Sequence, residues 1–101
     1  MISAVLTPQA RNDLAESTRW IAKDNPLAAR GLRTAIQKMA KMLGEHPHAG
    51  RERPDIAPPP IRFIALPSYP HIIIYDAAMK PPMILRVMHG ARDLSELLED
   101  M

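Results

Sequence analysis

The apolar positions fall into two helical rhythms followed by three strand-like runs. "ISAVL" (2–6) opens the chain as a short β-prone run. "TP" follows, with Thr7 placed to cap a helix and Pro8 at the first helical position, where its missing N–H costs nothing. Ala10, Leu14 and Ile21 then recur on one face with Ser17 between them, a narrow stripe that suits a helix packed on one side. Trp20 lies well off that stripe. "KDNPLAAR" restarts the signal, with Asn25 as cap and Pro26 at the first position, and the second helix is expected to run to about Leu43 and stop at Gly44 in the left-handed conformation. Its core stripe is Leu32, Ile36, Met39 and Leu43. Ala28, Ala35 and Met42 lie beside that stripe, and Ala29 and Ala40 flank its other edge. The apolar arc spans roughly 160° at about 100° per residue. One sheet contact needs less, so the two helices are expected to form a hairpin whose second member has a further face to bury.

"GEHPHAGRERPDIAPPP" (44–60) carries five prolines and two glycines in seventeen residues and is expected to hold no regular element. It reads as a linker or as an ordered, functional loop. Three β-prone runs follow. "IRFIAL" (61–66) alternates imperfectly, and "HIIIY" (71–75) is apolar throughout, as in a strand buried on both faces. "MILRVMH" (83–89) sets Met83, Leu85, Val87 and His89 on one face and Ile84, Arg86 and Met88 on the other. The short turns "PSYP" and "DAAMKPP" make these strands an antiparallel meander. In "HGARD", Gly90 is expected to permit a backbone turn that a side chain would hinder, and Asp93 to cap a last helix over "DLSELLEDM" while accepting hydrogen bonds from Arg92. His89 packs inward on this reading, and the stretch is a latch for the C-terminal helix. The order is β-α-α-β-β-β-α: one α+β domain over 1–101, with a helical hairpin on a small, mainly antiparallel sheet.

Composition narrows the class. The chain is 47% hydrophobic and 24% charged, an ordinary globular balance, and with one Phe, two Tyr and one Trp its core must be aliphatic. The absence of cysteine excludes disulfide scaffolds, cysteine catalysis and thiolate metal sites. The N-terminal segment has no basic n-region, and its apolar run is too short for a signal peptide or a span, so a soluble cytoplasmic protein is expected. Net charge is +2, but Asp93, Glu96, Glu99 and Asp100 crowd the last nine residues with no base among them. The body is therefore more basic than the total suggests, which fits either an acidic partner or an ordinary solvated surface.

Few residues fit a catalytic pattern. His46 and His48 in "HPH" would need a further ligand from His71, His89 or a carboxylate to hold zinc, and no spacing supplies it; they read as surface histidines, with no metal or cofactor expected. The four glycines are isolated, which rules out phosphate-loop and dinucleotide fingerprints. Arg51, Arg53, Arg62, Arg86 and Arg92 form a basic set in the second half. Arg62 and Arg86 stand on strands, where a guanidinium either pairs with a carboxylate or projects toward solvent or an anionic ligand. As a group these arginines suit RNA phosphates and charge stabilisation during strand cleavage, or ion pairs on an ordinary sheet face.

At these residues the chain resembles the toxins of bacterial type II toxin–antitoxin systems, in the ParE branch of the RelE/ParE superfamily. The resemblance is carried by "TPQARNDLAESTRWIAKDNP", "HPHAGRERPDI", "IRFIALPSYPHIIIY" and, most specifically, the closing "ILRVMHGARDLSELL", which together cover nearly the whole chain in the family's order. It implies a toxin whose helical hairpin packs on an antiparallel sheet, and a ParD-type antitoxin whose extended arm wraps it as a hetero-oligomer. Trp20, Ala28, Ala35 and Met42 are the candidate antitoxin contacts. RelE-like members resemble ribosome-dependent mRNA endonucleases with basic residues and often a C-terminal tyrosine, whereas ParE-like members are associated with poisoning DNA gyrase. Here the only tyrosines are Tyr69 and Tyr75, Pro70 and His71 stand where nuclease members often place an arginine, and the tail beyond Arg92 is acidic. The resemblance thus implies a non-enzymatic gyrase inhibitor, with Arg62, Arg86, His89 and Arg92 as target-binding candidates and no sequence-specific nucleic-acid or membrane binding. Two readings stand beside it: an mRNA endonuclease using the same basic set with His89 as acid or base, and a non-toxic module that only binds the antitoxin.

Overall fold

The computed structural model describes residues 2–90. Thr7 joins strand to helix: β1 (Val5–Leu6) ends at it and α1 (Pro8–Ala22) begins after it. Its Oγ1 accepts the Ala10 N–H at 3.1 Å and donates to the Leu85 carbonyl at 3.0 Å, so one hydroxyl caps the helix and ties it to the sheet. α2 (Pro26–Glu45) starts the same way, with Asn25 Oδ1 accepting the Ala28 N–H at 3.1 Å. β2 (Arg51–Glu52), β3 (Ile61–Ala65), β4 (His71–Asp76) and β5 (Met83–His89) complete a five-stranded sheet of order β1-β5-β4-β3-β2. Among the described residues only the β1–β5 pairing is parallel. The expected α+β architecture, a helical hairpin on a mainly antiparallel sheet, is the one observed. The expected last helix, with Arg92 and Asp93, lies outside the described residues.

Leu32, Ile36 and Leu43 of α2 meet Ile73, Tyr75 and Ile84 of the sheet in a core from which these side chains are almost fully shielded. Each apolar side chain so buried stabilises by about 1.5–3 kcal/mol. The opposite sheet face has its own smaller core, in which Phe63, Ile74 and Met88 are covered by Ile56 and Ala57 of the proline-rich loop. That loop is therefore ordered, and it supplies the short edge strand β2, which the expectation of no regular element missed. Tyr75 anchors its entry: the phenol donates to the Pro47 carbonyl at 2.7 Å and accepts the Gly50 N–H at 2.8 Å. Arg62, opposite Tyr75 in the register, donates to the carbonyls of Gly50 (2.8 Å) and His48 (3.4 Å), with Glu52 3.8 Å away.

Burial pushes the Tyr75 phenol above its ordinary range, against the lowering effects of the Gly50 N–H and Arg62. A raised folded-state value holds the proton more tightly than the unfolded chain does. This contribution to stability is thus intact below about pH 10 and disappears as pH rises through the folded value. Tyr75→Phe, which strands the Gly50 N–H and the Pro47 carbonyl, is expected to cost about 2 kcal/mol at neutral pH. It is also expected to remove Tyr75's share of the alkaline destabilisation, as denaturant unfolding at pH 8 and pH 11 would show.

Two local expectations are corrected. Gly44 does not stop α2: the helix continues to Glu45, and no glycine among the described residues has positive φ. Gly90 follows the last residue of β5 and its N–H donates to the Pro70 carbonyl at 2.7 Å; a Cβ there would lie 3.2 Å from Ile72 Cδ1 and 3.3 Å from that carbonyl, the crowding expected at this position. Strict alternation fails in β5, because Tyr75 pairs with Ile84 and Ile74 with Arg86, leaving Leu85 as an extra residue. The bulge places Ile84 and Val87, three residues apart, in the same helix-facing core.

Candidate functional site

β1 covers only Met83 and Ile84 of β5, so from Leu85 onward the outer edge of that strand has no strand beside it among the described residues. An uncovered edge exposes backbone donors and acceptors. α1 supplies the cover. After Thr7 has met the Leu85 carbonyl, Asp13 Oδ2 accepts the Val87 N–H at 3.0 Å. The same carboxylate grips Arg86 in two places, Nε to Oδ2 at 2.8 Å and Nη2 to Oδ1 at 3.1 Å. Two charge-assisted bonds in a fork, with a backbone N–H added, make Asp13 a polar anchor between helix and sheet. Asp13 is buried, while the Arg86 side chain keeps 39% of its surface exposed.

Beyond this anchor α1 and β5 diverge, leaving a groove of about 570 Å³ lined by Glu16, Ser17, Trp20, His71, Arg86 and His89 among others. His71 and His89 are directly opposite in the β4–β5 register, with ring centroids 5.8 Å apart and planes at 70°. His71 Nε2 lies 3.2 Å from Ser17 Oγ, and its ring is 6.3 Å from that of Tyr69. Trp20 stands at the rim, 69% exposed, with Lys23 Nζ 5.1 Å from its ring centroid, within cation–π range. The groove thus offers an aromatic rim, imidazoles and a paired guanidinium. These groups suit the recognition of a partner's side chains.

Of the predicted residues, Trp20, Arg86 and His89 meet here. Arg62 does not join them: its β4 partner is Tyr75 and that of Arg86 is Ile74, consecutive residues, so the two arginines start from opposite faces of the sheet. Arg92 lies outside the described residues. On α2, Ala35 and Met42 pack against the main core, and the Ala28 carbonyl accepts the Tyr69 hydroxyl at 2.9 Å. The β3–β4 turn therefore already covers part of that second face, approaching so closely at Gly31 that a Cβ there would collide with the Tyr69 hydroxyl. His46 and His48 are both exposed, and among the described residues no three potential ligands are grouped to hold a metal ion. Arg53 pairs in two places with Asp55 (2.8 and 3.1 Å) and holds that exposed carboxyl below its ordinary range.

Sequence reasoning missed Asp13, Ser17 as a partner for His71, and the His71–His89 contact. Asp13 was detectable. It lies three residues after Ala10 and four before Ser17, in phase with the buried stripe, and an acid on an apolar stripe calls for a buried base.

The model of the ParE toxin of type II toxin-antitoxin system, parDE, matches residues 4–94. A solved structure, "Chromosomal ParDE TA system from P. aeruginosa", is similar to this chain with a TM-score of 0.72, covering 88% of this chain and 96% of the other at 24% identity, a likeness of fold. No curated protein matches significantly. Among the described residues no helix is long and apolar enough to cross a membrane.

Proposed function

Because the chain belongs to the ParE toxins of type II toxin–antitoxin systems, we propose that it acts in the cytoplasm as a protein inhibitor of DNA gyrase and is neutralised by a ParD-type antitoxin. The observation that carries this over cleavage of mRNA is, among the described residues, the separation of Arg62 from Arg86 and His89. A nuclease needs cationic groups converging on one phosphate. Here Arg62 straps the proline-rich loop and Arg86 is held by Asp13, and the two start from opposite sheet faces. An inhibitor needs only a surface of the right shape and chemistry. The groove around Arg86 and His89 is the proposed target-facing region, with Arg62 and Arg92 as further basic contacts. Trp20 and the α2 positions Ala28, Ala35 and Met42 are the proposed antitoxin contacts, with exposed Trp20 as the anchor.

The test is to induce the chain alone in bacteria and pulse-label DNA and protein synthesis together, alongside a gyrase supercoiling assay with the purified protein. DNA synthesis is expected to fall first and supercoiling to be inhibited. An earlier fall in protein synthesis would replace this reading with the mRNA endonuclease. No fall in either would leave a module that only binds the antitoxin.

A further inference from the structure

The crotch of the helical hairpin, away from the α1–β5 groove, holds a second concavity of about 310 Å³. Its floor is small and mostly apolar: Ala22, Pro26 and Ala29, with Thr18 at one side. Arg19 of α1 and Arg30 and Arg33 of α2 surround that floor. The ion pairs between described residues use Arg53, Arg62 and Arg86, and none involves these three arginines. Arg33 Nη2 reaches only the Thr18 hydroxyl, at 3.4 Å. The first turn of α2 carries no acidic residue, so the partial positive charge of its N-terminus adds to the arginines. Leu27, 76% exposed, stands one turn before Arg30 and gives the rim an apolar side chain.

We infer that this concavity receives an acidic segment of the antitoxin, whose carboxylates pair with Arg19, Arg30 and Arg33 while an apolar side chain rests on Ala22, Pro26 and Ala29. The inference rests on the antitoxin reading above and goes beyond it by naming the surface and the chemistry of the segment. Charge complementarity narrows the occupant to an anionic one. Guanidinium forks match planar carboxylates and phosphates alike, so an acidic protein segment and a nucleic acid both suit the charge. The shape and lining separate them. Three arginines around one small floor form a spot rather than a stripe along a backbone, and no aromatic side chain among the described lining residues offers a base a stacking platform. A floor of alanine and proline is instead suited to one or two aliphatic side chains, with the carboxylates at the rim.

The test measures the affinity of the full chain for its antitoxin by titration calorimetry, at low and at high salt, for the wild type, for Arg30→Glu/Arg33→Glu and for Arg30→Lys/Arg33→Lys. Both arginines are exposed, so thermal unfolding is expected to be the same for all three. The charge reversal is expected to weaken binding on the order of a hundredfold at low salt and to flatten its salt dependence, with the lysine variant losing about tenfold or less. Equal affinity of all three would overturn the inference and leave the antitoxin reading standing. Failure of the wild type itself to bind would sink the antitoxin reading, and this inference with it. If a labelled single-stranded oligonucleotide binds the wild type and is lost on charge reversal while antitoxin affinity is unchanged, the site is a nucleic-acid site and the inference is wrong.

Discussion

Asp13→Ala is expected to be among the most damaging single substitutions, lowering stability by about 3 kcal/mol and Tm by roughly 15 °C. The change removes the acceptor of the buried Val87 N–H and the carboxylate that holds Arg86 at 2.8 and 3.1 Å. Because Arg86 keeps part of its side chain in water, solvent recovers some of the charge term, which holds the estimate at the low end for a broken, partly buried pair. Asp13→Asn, which keeps an acceptor of the same shape but loses the charge, is expected to fall in between. The double variant Asp13→Ala/Arg86→Met removes both charges and is expected to recover part of the loss. If Asp13→Ala unfolds at the wild-type denaturant midpoint, the edge of β5 is held by something else. The same pair sets the wall of the candidate groove, so Asp13→Ala is expected to weaken target inhibition as well as the fold.

Gly44→Val is expected to cost about 2–3 kcal/mol and to act at the N-terminal segment rather than in α2. A Cβ at residue 44 would run into the backbone carbonyl of Ile2 and lie 3.0 Å from the Ser3 Cα. Backbone cannot swing aside as a flexible side chain can. The segment before β1 lies here in a cradle made by Ala40 and Gly44, and the Ala4 N–H donates to the Ala40 carbonyl at 2.8 Å. Displacing it exposes Ala4 and loosens the β1–β5 pairing while leaving α2 helical. Amide exchange provides the check. Protection is expected to fall at Ala4, Val5 and Thr7 and to persist at Leu32 and Ile36; uniform loss would place the damage in the helix instead.

The roles of Gly44 and Asp13 depend on residues distant in the chain. The helix starts at Thr7-Pro8 and Asn25-Pro26, the stripe of Leu32, Ile36, Met39 and Leu43, and the apolar run of β4 were all legible, because caps and periodicity act between residues close in sequence. The end of α2 was not. Glycine after an apolar stripe is a common helix stop, but it equally marks a close approach by another segment, and here that segment is the chain's own start, some forty residues away. The face assignment in β5 failed for a related reason: period two holds only while the ladder keeps its register, and the bulge at Leu85 is set by pairing with β4.

The candidate site divides in the same way. Trp20, off the helical stripe, was expected to be available to a partner, and it is exposed. From their place on strands alone, Arg62 and Arg86 fit either ion pairs or ligand contact. Their partners, Asp13 for one and the His48 and Gly50 carbonyls for the other, lie far away or in an irregular loop that no periodicity predicts. The helix starts, the α+β class, the mostly aliphatic core and the family resemblance are written in local pattern and composition. Which charges hold the fold, which glycine is a cradle rather than a stop, and which side chains share a groove emerge from the folded arrangement alone. Those outcomes depend on contacts between residues distant in the chain, where a side chain's partner is chosen by the packing of the whole domain.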